Sequence, residues 1–193
     1  CMDNSLDPVH FQWLHRYYGG WVMNRKMPAD QRDQFNRATA SRGQAHKLIG
    51  FEKTDYGVIK RRLVGDETKE DEWWSIGHAV LFPNILRVVN NFQFRVPLDD
   101  THTLHIVHRN FLPRPGVTYE KQDPQQIPWE ERAVFDDDGK PLNTWVVGQD
   151  QSAWITQGAI SDRSTEALGV TDVGIIMFRN LIEEQIRIVE EGG

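Results

Sequence analysis

Two hydrophobic periods divide the chain. Between residues 47 and 112 the apolar positions come in short runs broken by polar turns. Leu48-Ile49-Gly50-Phe51-Glu52 and Val58-Ile59-Lys60-Arg61-Arg62-Leu63-Val64 flank Asp55-Tyr56-Gly57, a hairpin signal. Further strand-like runs follow at 77–82, 85–89, 92–97 and 103–108. Short strands on short turns predict an antiparallel sheet, and no βαβ spacing occurs. From 171 to 190 the period lengthens. Ile175, Phe178, Ile182, Ile186 and Val189 step by three or four and form one apolar stripe. This predicts a helix lying across the sheet, capped by Thr171 or Asp172 and ended by Gly192-Gly193.

Four further segments complete the pattern. Residues 4–18 read as a helix with Asp7 as N-cap before Pro8, stopped by Gly19-Gly20. Residues 21–46 are polar, with scattered Trp21, Met23, Met27 and Phe35, and read as a loop or short helix. Residues 113–141 form a Pro-, Asp- and Gln-rich excursion in which Trp129-Glu130-Glu131-Arg132 suits a helical turn. Residues 144–157 read as another helix, carrying Asp150, Trp154 and Ile155. The sum is an α+β domain.

With 193 residues, 39% hydrophobic and 26% charged, the chain suits one folded domain with a substantial core. A net charge of -6 argues against a nucleic-acid partner. Lys60-Arg61-Arg62 is the most basic stretch and is expected on a solvated strand face. No apolar run approaches the roughly 20 residues of a membrane helix, and no cleavable signal opens the chain. The single cysteine, Cys1, forbids an internal disulfide and fits a reducing cytoplasm. It also forbids a cysteine-ligated iron–sulfur cluster on these residues, since even a cluster with two His ligands needs two thiolates. The chain opens at Cys1-Met2-Asp3-Asn4, directly before its most chemical segment, and is expected to be a fragment.

That segment holds Asp7, His10 and His15, and Asp150 stands far downstream. Two imidazoles and one carboxylate on one side of an ion form the facial triad of Fe(II) oxygenases. Asp7 and His10, three apart, share a helix face. His10 and His15, five apart, are turned about 140° from each other in a regular α-helix. Both reach one ion only if the helix is wide or bent, as in a π-bulge. The plainer alternative makes Asp7 a cap, His10 a packed side chain, His15 solvent-facing and Asp150 a cap or dipole partner. His102, His105 and His108 fall on alternating strand faces, and His46 and His78 stand alone. Three classes remain open on the residues: an iron oxygenase, a module holding an apolar ligand without catalysis, and a zinc hydrolase using the same three ligands.

The run Asp3-Asn4-Ser5-Leu6-Asp7-Pro8-Val9-His10-Phe11-Gln12-Trp13-Leu14-His15 resembles the mononuclear-iron motif of the Rieske non-haem iron oxygenases: an acidic residue and Asn, a bridging Asp, then His-x4-His. The stretch 149–158, followed by 161–166 and Leu168-Gly169, is similar to the phthalate dioxygenase and aromatic O-demethylase branch, as is the strand–turn 94–103. The resemblance implies that His10, His15 and Asp150 ligate Fe(II). Asp7 would bridge His10 to a cluster-ligating His of a neighbouring subunit, and Asn4 would lie near the iron. It implies a helix-grip fold, a curved antiparallel sheet on a long C-terminal helix with the substrate between them. Residues 1–193 would then be the mononuclear-iron catalytic domain, with the [2Fe-2S] Rieske domain absent and expected upstream. The implied enzyme is a cytoplasmic homotrimer. It uses Fe(II), O2 and electrons from a reductase or ferredoxin to hydroxylate or oxidatively demethylate an aromatic substrate. The isolated chain would not turn over. Phe92, His105 and Trp154 are expected along the substrate wall, and Arg87 or Arg95 could pair with a substrate carboxylate.

Overall fold

The computed structural model describes residues 1–29, 32–33, 44–111, 116–118, 120 and 122–193. The period-two runs form six strands: β1 (His46–Thr54), β2 (Gly57–Val64), β3 (His78–Leu81), β4 (Ile85–Val88), β5 (Asn91–Pro97) and β6 (Thr103–His108). They pair antiparallel in chain order, each with its sequence neighbour. Gly57 makes the first turn at φ 149°, where a Cβ would overlap the Val80 carbonyl. Helices flank the sheet: α1 (Met2–Leu6), a π-helix (Phe11–Tyr18), α2 (Gly19–Lys26), α3 (Glu72–Ser75), α4 (Val146–Ile155) and α5 (Val173–Glu190). The architecture is α+β. No helix among the described residues is long and apolar enough to cross a membrane.

Paired residues share a sheet face, so register identifies the inner wall. Val58 pairs Val80, Val80 pairs Leu86, and Leu86 pairs Gln93. Val58, Val80 and Leu86 form the core with Leu6 of α1 and Ile175 and Phe178 of α5. Helix α5 lies against β1 and β2, and a Lys53–Glu184 ion pair of 2.9 Å sits at its rim. Phe178 is 1% exposed. Phe178→Ala is therefore expected to lose about 3–5 kcal/mol, read as a lowered denaturant midpoint.

Several expectations need correction. Lys60 and Arg62 are buried, not solvated. They alternate with Val58 and Val64 on the inner face, so the strand period overrides their charge. Gly19-Gly20 does not stop the first helix. The chain breaks earlier, at Asp7, and runs helically through both glycines into α2. The apolar stripe of α5 is buried only in its first half, while Ile186 and Val189 are exposed. Trp129 is exposed and outside any helix. Phe35 and parts of the 21–46 and 113–141 segments lie outside the described residues.

Candidate metal centre

Asp7 starts the site. Its carboxylate accepts the Val9 amide at 2.7 Å and the His10 amide at 3.2 Å, an N-cap on the helix that follows. That helix is wound i→i+5, and the Gly19 amide still reaches the Leu14 carbonyl. Such winding brings residues five apart onto one side, which an α-helix does not. The rings of His10 and His15 thus lie 5.1 Å apart, centroid to centroid. His15 is 1% exposed, so its predicted solvent-facing alternative fails.

Both imidazoles have their orientation set. His10 Nδ1 lies 2.7 Å from the Asp7 main-chain oxygen. A carbonyl only accepts, so Nδ1 carries the proton and Nε2 the lone pair. His15 Nδ1 lies 3.0 Å from Gln149 Oε1, while Gln149 Nε2 donates to the Asn143 carbonyl at 3.3 Å. The second bond fixes the amide orientation, and with it the same tautomer at His15. Gln149 is fully buried and presses on Gly19, where a Cβ would stand 2.8 Å from its Nε2. Gly19→Ala is expected to cost about 1–3 kcal/mol by overpacking, read as a lower melting temperature.

Helix α4 brings Asp150 to these rings across the chain. Its Oδ1 stands 3.2 Å from His15 Nε2 and 3.7 Å from His10 Nε2. Asn4 of α1 donates to the same oxygen at 3.1 Å. Two lone pairs and a carboxylate oxygen lie within 4.8 Å of one another. Acceptors this close suit a cation between them. Ligands held about 2.1 Å from a first-row ion at right angles stand about 3 Å apart, so the donor set fits a divalent metal. Burial lowers the His10 pKa, with Asp7 opposing, which keeps its imidazole neutral and ready to ligate. Burial opposes ionisation of Asp150. Its contacts with His15 and His10 and the Asn4 amide together hold its carboxyl below the usual range.

The other expected residues divide. A cleft of about 440 Å³ is lined by Asn4, Asp7, His10, Trp13 and Trp154. His105 reaches Gln151 and Gln93 and lies 5.2 Å from the Trp154 ring, on the inner face. Phe92 is not brought in. It neighbours Gln93 in β5 and so faces the outer side of the sheet, as does its partner Arg87. Arg95 is inward and buried, donating to Gln93 at 3.0 Å and to Ser5. Three inner residues went unforeseen. Lys60 and Arg62 lie over the Phe11 ring, and His78 packs edge-on against Trp73 rather than standing alone. The signal was available: Lys60 and Arg62 alternate with Val58 and Val64.

No family model matches the chain. Over 192 residues it is 33% identical to the oxygenase subunit of a 5,5'-dehydrodivanillate O-demethylase from Sphingobium sp., covering 98% of this chain and 41% of that protein. Over 223 residues it is 25% identical to the oxygenase subunit of a phthalate 4,5-dioxygenase from Pseudomonas putida, covering 99% of this chain and 48% of that protein. The chain therefore spans less than half the length of these relatives, and across nearly all of its own length it is similar to oxygenase subunits of aromatic demethylase and dioxygenase systems.

Proposed function

We propose that these residues form the iron-bearing catalytic domain of an aromatic-ring oxygenase, with a helix-grip arrangement of sheet and α5. The observation that carries this reading is the convergence of His10 Nε2, His15 Nε2 and Asp150 Oδ1 with both Nδ1 atoms already committed. The similarity to two aromatic oxygenase subunits supports it. Bound Fe(II) would supply O2 activation at the coordination positions that three protein ligands leave open. His10, His15 and Asp150 hold the ion. The Asp7 carbonyl and Gln149 orient the two imidazoles, and Asn4 steadies the carboxylate.

Electrons would come from a [2Fe-2S] Rieske cluster on another domain or subunit, itself served by a reductase or ferredoxin. In a homotrimer, Asp7, which lines the cleft, would be the point of entry from a neighbouring subunit. His105 and Trp154 line the substrate side. Arg95, whose Nε is buried without a hydrogen-bond partner among the described residues, faces a substrate carboxylate. Hydroxylation and oxidative demethylation use the same residues and differ in the carbon presented to the metal.

The test is electron paramagnetic resonance of the Fe(II)–nitric oxide adduct, with and without a methoxylated aromatic acid. An oxygenase site changes its signal when the acid is added. An unchanged signal across such acids would speak for a metal site without an adjoining substrate pocket and against this reading.

A further inference from the structure

Lys60 projects from the middle of β2 toward the start of the π-helix and is 2% exposed. Its Nζ donates to the Asp7 main-chain oxygen at 3.1 Å. The same oxygen accepts the His10 Nδ1–H at 2.7 Å. A carbonyl has two lone pairs, so one atom serves both donors. Through it a cation of the sheet is coupled to the imidazole whose Nε2 faces Asp150.

The surroundings do not explain a lysine here on grounds of stability. No carboxylate pairs with Lys60 among the described residues, and the Asp7 carboxylate is engaged by the Val9 and His10 amides. The Phe11 ring lies 5.0 Å from the ammonium, and Phe51 of β1 and His78 of β3 are the residues paired with Lys60 across the sheet. Burial, opposed by Asp7 and reinforced by Arg62, lowers its pKa to about 7. A buried ammonium facing a neutral carbonyl and aromatic rings is costly to fold around.

We propose that Lys60 is a positioning residue for the metal ligand His10: its ammonium pins the Asp7 carbonyl and so fixes the ring orientation and tautomer that aim Nε2 at the metal. This rests on the reading that His10, His15 and Asp150 hold a divalent ion. An outer partner of this kind acts through the ligand it orients, and its loss typically weakens metal binding roughly 10- to 100-fold.

The experiment is an anaerobic titration of the full chain with Co(II), followed by its visible absorption, alongside the melting temperature of the metal-free protein. Lys60→Met keeps the apolar stem and removes the donor. Co(II) affinity should fall roughly 10- to 100-fold. The metal-free melting temperature should hold or rise, because an unpaired buried charge is gone. Lys60→Arg, which restores a charged donor, should recover most of the affinity. Stability and metal affinity moving in opposite directions is a pattern that a merely structural lysine does not produce. Equal Co(II) affinity in wild type and Lys60→Met overturns the proposal, as does a joint fall of affinity and melting temperature. If Lys60→Met does not fold, Lys60→Leu, which also lacks the donor, is read in its place by the same criteria. Failure of both to fold also overturns it, since Lys60 would then serve the fold itself. A wild-type chain that takes up no Co(II) refutes the triad and this inference together. Binding that Lys60→Met leaves intact sinks this inference alone.

Discussion

Asp150→Ala is expected to take Fe(II) binding from near-stoichiometric to undetectable, measured as iron retained after anaerobic loading and desalting. Asp150 supplies the only carboxylate of the convergent set, and its oxygen lies 3.2 and 3.7 Å from the two imidazole nitrogens. Without it, two neutral nitrogens face a divalent ion with no compensating charge. The loss should exceed the roughly 10- to 100-fold typical of an outer partner, because a ligand itself is removed. The fold should survive. The core of Val58, Val80, Leu86, Ile175 and Phe178 does not include Asp150. A circular dichroism spectrum and melting curve close to wild type would assign the lost iron to the missing ligand, whereas a collapsed melting curve would not.

Gln149→Leu carries the second largest expected effect, a fall in Fe(II) affinity of roughly 10- to 100-fold. Its side chain is fully buried, accepts from His15 Nδ1 at 3.0 Å and donates to the Asn143 carbonyl at 3.3 Å. Leucine fills similar space but leaves the buried His15 Nδ1–H unpaired and the half-buried Asn143 carbonyl without its donor. Each unsatisfied group costs about 1–3 kcal/mol, so stability should fall together with affinity. His15 also loses what distinguishes its two nitrogens and can turn Nδ1 toward Asp150. Gln149→Glu keeps an acceptor facing His15 and should retain more iron than Gln149→Leu. Equal retention by the two would remove Gln149 from the account of how His15 is oriented.

The strands were legible because alternation is local: all six runs became strands in the expected order. The five-residue spacing of His10 and His15 was legible as a demand. An α-helix cannot meet it, and the chain instead winds as a π-helix from Phe11 to Tyr18. Residues whose roles depend on distant chain were not legible. Gln149 beside Asp150 reads as an ordinary polar pair until the fold sets it against His15, 134 positions away. Gly19 reads as a helix stop, yet its lack of a side chain is what admits Gln149. Charge alone reads Lys60 and Arg62 as solvated, although the two-residue steps from Val58 to Val64 put them on the buried face. Phe92 is expected on the inner wall but faces outward, because a one-residue difference in register reverses every side chain of a strand.

The exposed aromatics Trp13, Tyr17 and Trp21 lie four apart along the outer side of the same helical run. Trp13 borders the cleft that also holds Asp7 and His10. The partly exposed carboxylate of Asp7 lies 3.6 Å from His10 Nδ1, and the ring is bonded to the Asp7 main-chain oxygen through Nδ1 and turned toward Asp150 through Nε2. The candidate metal position and the cleft meet at a single imidazole.

The most direct measurement is X-ray absorption at the iron edge of the chain after anaerobic Fe(II) loading, repeated on His10→Ala and His15→Ala. The account predicts near-stoichiometric iron with imidazole scattering in the wild type and little or no iron in either variant. Wild-type iron levels in both variants, or an iron shell without imidazole, would contradict it.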